Sequence, residues 1–407
     1  MEQQNSTSLD PNAIPKDNQE TEAQSSIRSL RELIDLVTGR GFKPELEEES
    51  GFAEILPFPF LALVGQMEMR LALLLSLINP AVSGVLLIGP RGTGKTTAVR
   101  SLINLLPDIE RSACFYGCLP EDVEIGGIDT ICPDCAKKYA EGKPLTKTEK
   151  ARIVELPLNA RLEDVVGGLD EHAVAHERFR LKRGILSLAD QNILYIDEVN
   201  LLSDEIVDAI LDAAAQGSYT IRRGQFSATY KANFTLIGSM NPEEGNLRPQ
   251  ILDRFGLRVI VRGLSSAQER LDAYRRVAAY RRSPRRVVTQ FYQETELARI
   301  ELQEARNLLP RVILPDEVAR KGIQMIQALQ IDSLRAEITM FEAARAYAAA
   351  DGRSVVSQED IRIVAPMALR LRRSSFMTKY FEDRSREEKE LLATIEQTIP
   401  ESTSQIG

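Results

Sequence analysis

The chain has only two histidines in 407 residues, and its four cysteines are confined to one stretch. The histidines, His172 and His176 in "DEHAVAHE", are four apart and share a face if helical. No third ligand accompanies them, so they read as an exposed pair rather than a metal site. Long apolar runs are also missing. The longest, "LALLLSLI" at 71–78, is too short to cross a bilayer, so no membrane-spanning helix is expected. The first residues, "MEQQNSTSLDPNAIPKDNQETEAQSS", lack an apolar core segment. No secretion signal is therefore expected, and the cytoplasm is the expected compartment. Nor is there an excess of basic charge. The net charge of −8 argues against a nucleic-acid partner, whose binding would rest on basic surface. The local clusters "RRSPRR" (281–286) and "LRLRRSS" (369–375) read as solvated helix faces.

What remains is an ordinary soluble composition, 43% hydrophobic and 27% charged, long enough for two or three domains. Residues 1–25 are polar, with few large apolar side chains, and are expected to be disordered. Residues 26–55 read as a short helix and linker. From 56 to 264 strands alternate with helices, the pattern of an α/β domain with a parallel sheet. The strand candidates are "GVLLIG" (84–89), "ARIVELP" (151–157), "NILYIDE" (192–198), "FTLIGSM" (234–240) and "LRVIVRG" (257–263). Near-continuous apolar runs of this kind suit strands covered on both faces. From 265 to 375 only helix-period segments occur, implying an all-helical domain, and 376–407 is a charged tail.

The chemistry is carried by "GPRGTGKTT". Gly89, Pro90, Arg91, Gly92, Thr93, Gly94, Lys95 and Thr96, followed by Thr97, match G-x-x-x-x-G-K-[ST] between an apolar strand and a helix. The glycines let backbone N–H groups form a nest around phosphate oxygens, and the helix adds its positive N-terminus. Lys95 would neutralise the outer phosphates of ATP, and the Thr96 hydroxyl would ligate Mg²⁺. A glycine-rich surface turn has no need of that flanking strand and helix.

An acidic partner belongs at the end of a neighbouring strand. "ILYIDEVN" supplies Asp197 for the Mg²⁺ shell and Glu198 to polarise the attacking water; in isolation the pair also fits a strand-end turn. Asn241, in "SMNP", is placed to orient the same water or to contact the γ-phosphate, though Asn-Pro is also a turn signal. "LRPQILDRFGL" offers Arg248 and Arg254 as candidate arginine fingers, and Arg335 starts a helix of the second domain that would close over the nucleotide.

The cysteines, Cys114, Cys118, Cys132 and Cys135, have the spacing C-x₃-C-x₁₃-C-x₂-C within an insertion at 111–140. Two close pairs suit tetrahedral Zn²⁺. An iron–sulfur cluster, thiol switching and simple buried cysteines are the alternatives.

With these pieces in order, the chain resembles the AAA+ ATPases, and among them the ATPase subunit of magnesium chelatase and its cobalt-chelatase relatives. "FPFLALVGQ", "GVLLIGPRGTGKTTAVRSL", "LPLNARLEDVVGGLD", "RGILSLADQNILYIDEVNLLSDEIVDAILDAAAQG", "IGSMNPEEGNLRPQILDRFGL" and "DSLRAEITMFEAARAYAAADG" carry the resemblance, over about 55 to 375. It implies Gly89–Thr96 as Walker A, Asp197 and Glu198 as Walker B, and Asn241 as sensor 1. Arg254 corresponds to the arginine finger acting on a neighbouring subunit, and Arg335 to sensor 2. It also implies hairpins at about 158–184 and 218–232. A homo-oligomeric ring, a hexamer by resemblance, would drive a von Willebrand-domain subunit and a large porphyrin-binding subunit to insert Mg²⁺ into protoporphyrin. A MoxR-like remodelling ATPase activating a von Willebrand-domain partner, or a cobalt-chelatase-type ATPase, is the alternative. A nucleotide-sensing switch with weak hydrolysis is a third reading, which Glu198 argues against.

Overall fold

The computed structural model describes residues 56–373, apart from 115–116, 170–180, 224–225 and 246. The expected disordered segment, the helix at 26–55, both histidines and the charged tail lie outside these residues.

The element that sets the architecture is β1 (Val85–Ile88), whose four residues are all buried. It is preceded by α1 (Met67–Ile78) and followed, across the glycine loop, by α2 (Lys95–Ser101). A polar hairpin comes next, β2 (Asp108–Ser112) paired antiparallel with β3 (Thr146–Lys150). It brackets α3 (Pro120–Gly126) and α4 (Pro133–Ala140), which carry the cysteine stretch. The chain then enters β4 (Ile153–Glu155) and α5 (Leu162–Val166). A second hairpin follows, β5 (Gly167–Leu169) with β6 (Leu181–Arg183), and then α6 (Ile185–Leu188). β7 (Ile193–Ile196) leads to α7 (Asp204–Gln216), and a third hairpin pairs β8 (Ser218–Arg223) with β9 (Phe226–Lys231). β10 (Thr235–Met240), α8 (Pro249–Arg254) and β11 (Leu257–Ile260) complete the sheet region.

The five central strands stand in the order β11-β1-β10-β7-β4, and every pair is parallel. They fall inside the five apolar runs read from the sequence, and the two hairpins at 158–184 and 218–232 are present. The hairpin β2–β3 was not visible in the sequence. Its strands, "DIERS" and "TKTEK", are charged and alternate without a clear apolar face.

Six helices follow: α9 (Ala267–Arg282), α10 (Pro284–Gln290), α11 (Tyr292–Leu308), α12 (Asp316–Ala328), α13 (Leu334–Ala350) and α14 (Gln358–Leu369). The last four, α11 to α14, share one buried core with α1 and one face of the sheet, running from Leu73 and Val85 through Met340 and Ala344 to Val364. The other face is covered by α5, α6, α7 and α8, with Phe255, Ile210 and Leu186 at its centre. No helix among the described residues is long and apolar enough to cross a membrane.

One expectation is overturned here. Within the 369–375 cluster, Arg372 does not belong to a solvated face. Arg372 is buried, with its guanidinium bonded to Asp253 Oδ1 at 2.7 Å and to the Gly256 carbonyl at 3.1 Å. The carboxylate and carbonyl groups left at the end of α8 supply what burial of an arginine requires.

Candidate active site

The strand order brings three strand ends together. β1 ends at the glycine loop, β7 at Asp197 and Glu198, and β10, between them, at Asn241. Gly92 and Gly94 have φ of +78 and +87, the left-handed conformation that turns their N–H groups into a nest, so glycine is required there. A Cβ on Gly89 would lie 2.1 Å from the Val261 carbonyl oxygen, which explains that glycine as well.

Lys95 is buried, and its Nζ donates to the carbonyls of Gly89 (2.7 Å) and Pro90 (2.8 Å). Burial pulls its pKa below the ordinary lysine value, opposed by the carboxylates of Asp197, Glu198 and Glu244. Thr96 Oγ1 lies 3.4 Å from Asp197 Oδ2. Two residues not foreseen from the sequence hold that pair. The Tyr195 hydroxyl is 2.9 Å from Asp197 Oδ1, and Ser239 donates to the same oxygen. Ser239 also accepts the Glu198 backbone N–H at 3.3 Å. Glu198 has φ 53 and ψ 52, a left-handed non-glycine residue whose strain Ser239 helps to hold.

Arg91 spans the loop. Its guanidinium lies 3.0 Å from Glu198 Oε1 and 2.5 Å from Glu244 Oε1. Glu244 Oε2 is buried with no hydrogen-bond partner. Asn241 is buried, and its side-chain oxygen accepts the Glu243 N–H at 3.3 Å, so it does cap the Asn-Pro turn while standing at the strand end. Beside the loop, Thr97 faces a cavity of about 580 Å³ whose walls include Val64, Met69 and Leu264. Arg270 and Arg276 of α9 reach it as well. That size and mixed lining suit a nucleoside, and the "FPFLALVGQ" stretch forms one wall.

The remaining candidates stand elsewhere. Arg254 pairs with Asp212 at 2.7 Å and Asp208 at 3.5 Å, and Arg248 with Asp204 at 2.7 Å, so both face one acidic stripe of α7. Arg335 lies 3.4 Å from Asp253 Oδ2, beside Arg254 in sequence.

The donor set fits Mg-ATP. A hydroxyl and carboxylates are hard oxygen ligands suited to Mg²⁺, the nest and Lys95 suit phosphate, and the unpartnered Glu244 oxygen suits a coordinated water. The four cysteine sulfurs lie within 4.8 Å of one another. Cys118 Sγ accepts the Cys132 N–H at 3.2 Å, and Cys132 Sγ accepts that of Cys135 at 3.4 Å. Without an ion, burial pushes the Cys118 thiol up to about 11.

Two family models match: magnesium chelatase, subunit ChlI, over residues 168–251, and the AAA lid domain over 323–395. A magnesium-chelatase 38 kDa subunit of Acidiphilium rubrum is 42% identical over 77% of this chain and 90% of its own length. A magnesium-chelatase subunit ChlI homolog of Methanocaldococcus jannaschii is 41% identical over 78% of this chain and 87% of its own. The chain belongs to the magnesium-chelatase ChlI family. It is thus an AAA+ ATPase with a helical lid, and ATP and Mg²⁺ are its nucleotide and cofactor. A solved complex of magnesium-chelatase subunits BchI and BchD contains a chain 38% identical to this ChlI-family member, covering 79% of this chain and 97% of that one, with a TM-score of 0.45.

Proposed function

We propose that this protein is the ATP-hydrolysing motor that drives partner chelatase subunits to insert Mg²⁺, as substrate, into protoporphyrin. The observation that carries the catalytic part is the convergence of Lys95, Asp197, Glu198 and Asn241 at three adjacent strand ends. The relatives' names carry the chelatase part. Lys95 leaves the Gly89 and Pro90 carbonyls to bind phosphate oxygens. Thr96 and Asp197 would hold the cofactor Mg²⁺, which would neutralise charge on the phosphates. Glu198, released from Arg91, accepts the proton of the attacking water. Asn241 orients that water. Arg254 completes the site of the next subunit in a homo-oligomeric ring, and Arg335 works beside it. The cytoplasm is the compartment.

The cysteine cluster is a zinc site in this reading. A tetrahedron with metal–sulfur bonds of about 2.3 Å has sulfur–sulfur edges of about 3.8 Å. Cys114 stands 3.8 Å from Cys118 and 3.6 Å from Cys132. A cluster whose thiolates sit on separate irons needs wider spacing.

The test is Glu198→Gln. It should bind ATP within about twofold of the parent and lose at least about 100-fold in turnover. Unchanged turnover would reject the assignment. In a reconstituted assay with partner subunits, porphyrin metallation should fall in parallel.

A further inference from the structure

The cysteine stretch reaches two places outside its own hairpin. Gly117, next to Cys118 in sequence, accepts a hydrogen bond from Arg183 Nη2 at 2.7 Å. Its φ is +66, and a Cβ there would lie 1.7 Å from Arg183 Nη1, so only glycine permits the contact. Arg183 ends β6, and its guanidinium stacks 5.3 Å from the ring centroid of Tyr230 on β9. Its Nε is buried without a partner, so the arginine gives up hydration to sit there. The second contact is an ion pair between Glu121, in the first turn of α3, and Lys231, the last residue of β9. One loop therefore holds the closing strands of two different hairpins.

We propose that the four-cysteine module is a metal-dependent anchor for the β5–β6 and β8–β9 hairpins, with Arg183 as its positioning residue. The proposal rests on the zinc reading above. The module's own core is small: Cys118, Ile131, Cys132, Cys135 and Leu145. So little apolar surface does not order a loop of this length by itself, whereas an ion bound by four thiolates contributes its binding energy to folding. Gly117 lies between two of the ligands, so the direction of its carbonyl is set when both sulfurs are tethered. With the ion gone, Arg183 keeps its buried position but loses its acceptor, and both hairpins lose a shared support. The phosphate loop and the acidic strand end are held by the sheet, outside this chain of contacts.

The experiment is hydrogen exchange by mass spectrometry on the full-length protein, with zinc content measured alongside. Three samples are compared: zinc-loaded, chelator-stripped and re-loaded, and Arg183→Met. Stripping should raise exchange in peptides of both hairpins about tenfold or more, reversibly, while sheet peptides and ATP affinity stay unchanged. Arg183→Met should keep one zinc per chain and still lose hairpin protection, which a merely structural zinc site would not show. Zinc bound and removable with no change in hairpin exchange would overturn the anchor and leave the metal reading standing. A chain that takes up no zinc even when re-loaded anaerobically would overturn the metal reading and the anchor with it. Loss of protection throughout the sheet on stripping would also overturn the anchor.

Discussion

The Tyr195 hydroxyl stands between Asp197 Oδ1, at 2.9 Å, and Thr96 Oγ1, at 3.2 Å. Burial pushes its phenol far above the ordinary tyrosine range, so it remains a donor at any working pH. Its one proton serves Asp197 and Thr96 in turn, so it holds together the carboxylate and the hydroxyl that would bind the cation. Tyr195→Phe should raise the Mg²⁺ concentration for half-maximal ATPase about tenfold. Binding of ATP in the absence of Mg²⁺ should be unaffected. A titration of Mg²⁺ at fixed ATP decides it, and an unshifted midpoint removes Tyr195 from this role.

Lys95 is the buried charge nearest the nest, satisfied here by two carbonyls that phosphate must replace. Lys95→Ala should therefore weaken ATP binding by about 100-fold, with little change in thermal stability. Calorimetric titration with ATP gives the affinity. A loss under threefold would mean that the backbone nest alone holds the phosphates.

Asp253 ties Arg335 to the end of α8, and Ser333 donates to the same carboxylate at 3.0 Å. Since Arg254 follows immediately, the two arginines share an edge. The sequence had suggested that Arg335 serves its own subunit's nucleotide. We propose that both serve the neighbour's site. Mixing Arg254→Ala with Glu198→Gln subunits should then restore part of the ATPase activity, and so should mixing Arg335→Ala with Glu198→Gln. Recovery in the first mixture but not the second would return Arg335 to its own subunit. Recovery in neither would sink the ring model.

The same strands that were plain in the sequence explain why its site was only half visible. Five apolar runs next to a glycine loop and an acidic pair dictate a parallel sheet with chemistry at its strand ends, and Lys95, Thr96, Asp197 and Glu198 follow by position. Tyr195 and Ser239 do not, because within a buried strand each reads as a residue of the core. Arg270 and Arg276 were equally hidden: their segment carries a helix period, and only the packing of α9 against the 58–69 stretch turns them toward the cavity. Arg372 was misread because a run of basic residues usually faces water, and the carboxylate that draws it inward lies 119 positions away.

Asp360 gives a stability prediction. Its side chain is 2% exposed, and Arg353 grips it with two bonds of 2.6 and 2.9 Å while Ser357 completes a capping box. Burial alone would raise its pKa, but the bonds from Arg353 and Ser357 outweigh it and hold the carboxyl below the usual range. A depressed folded-state pKa means stability that is present above the unfolded value, near pH 4, and lost as pH falls through the folded one. Asp360→Asn should cost about 2 kcal/mol at pH 7, and its deficit against the parent should shrink below pH 4. Urea titrations at both pH values measure this; a deficit independent of pH would place the cost in packing.

The alanine surface of α13 has a mechanical consequence. Ala336, Ala343, Ala344, Ala348 and Ala349 are buried, with Met340 among them, so at the alanine positions the helix lies close against its neighbours. Asn79 reaches Glu342 at 2.7 Å and Arg306 reaches the Leu77 carbonyl at 2.7 Å, pinning the same seam from α1 and α11. Swinging the helices away as a flap would open that seam to water along its whole length. The subunit is therefore stiff across its two halves, and a change at the phosphate loop travels as the tilt of one solid body.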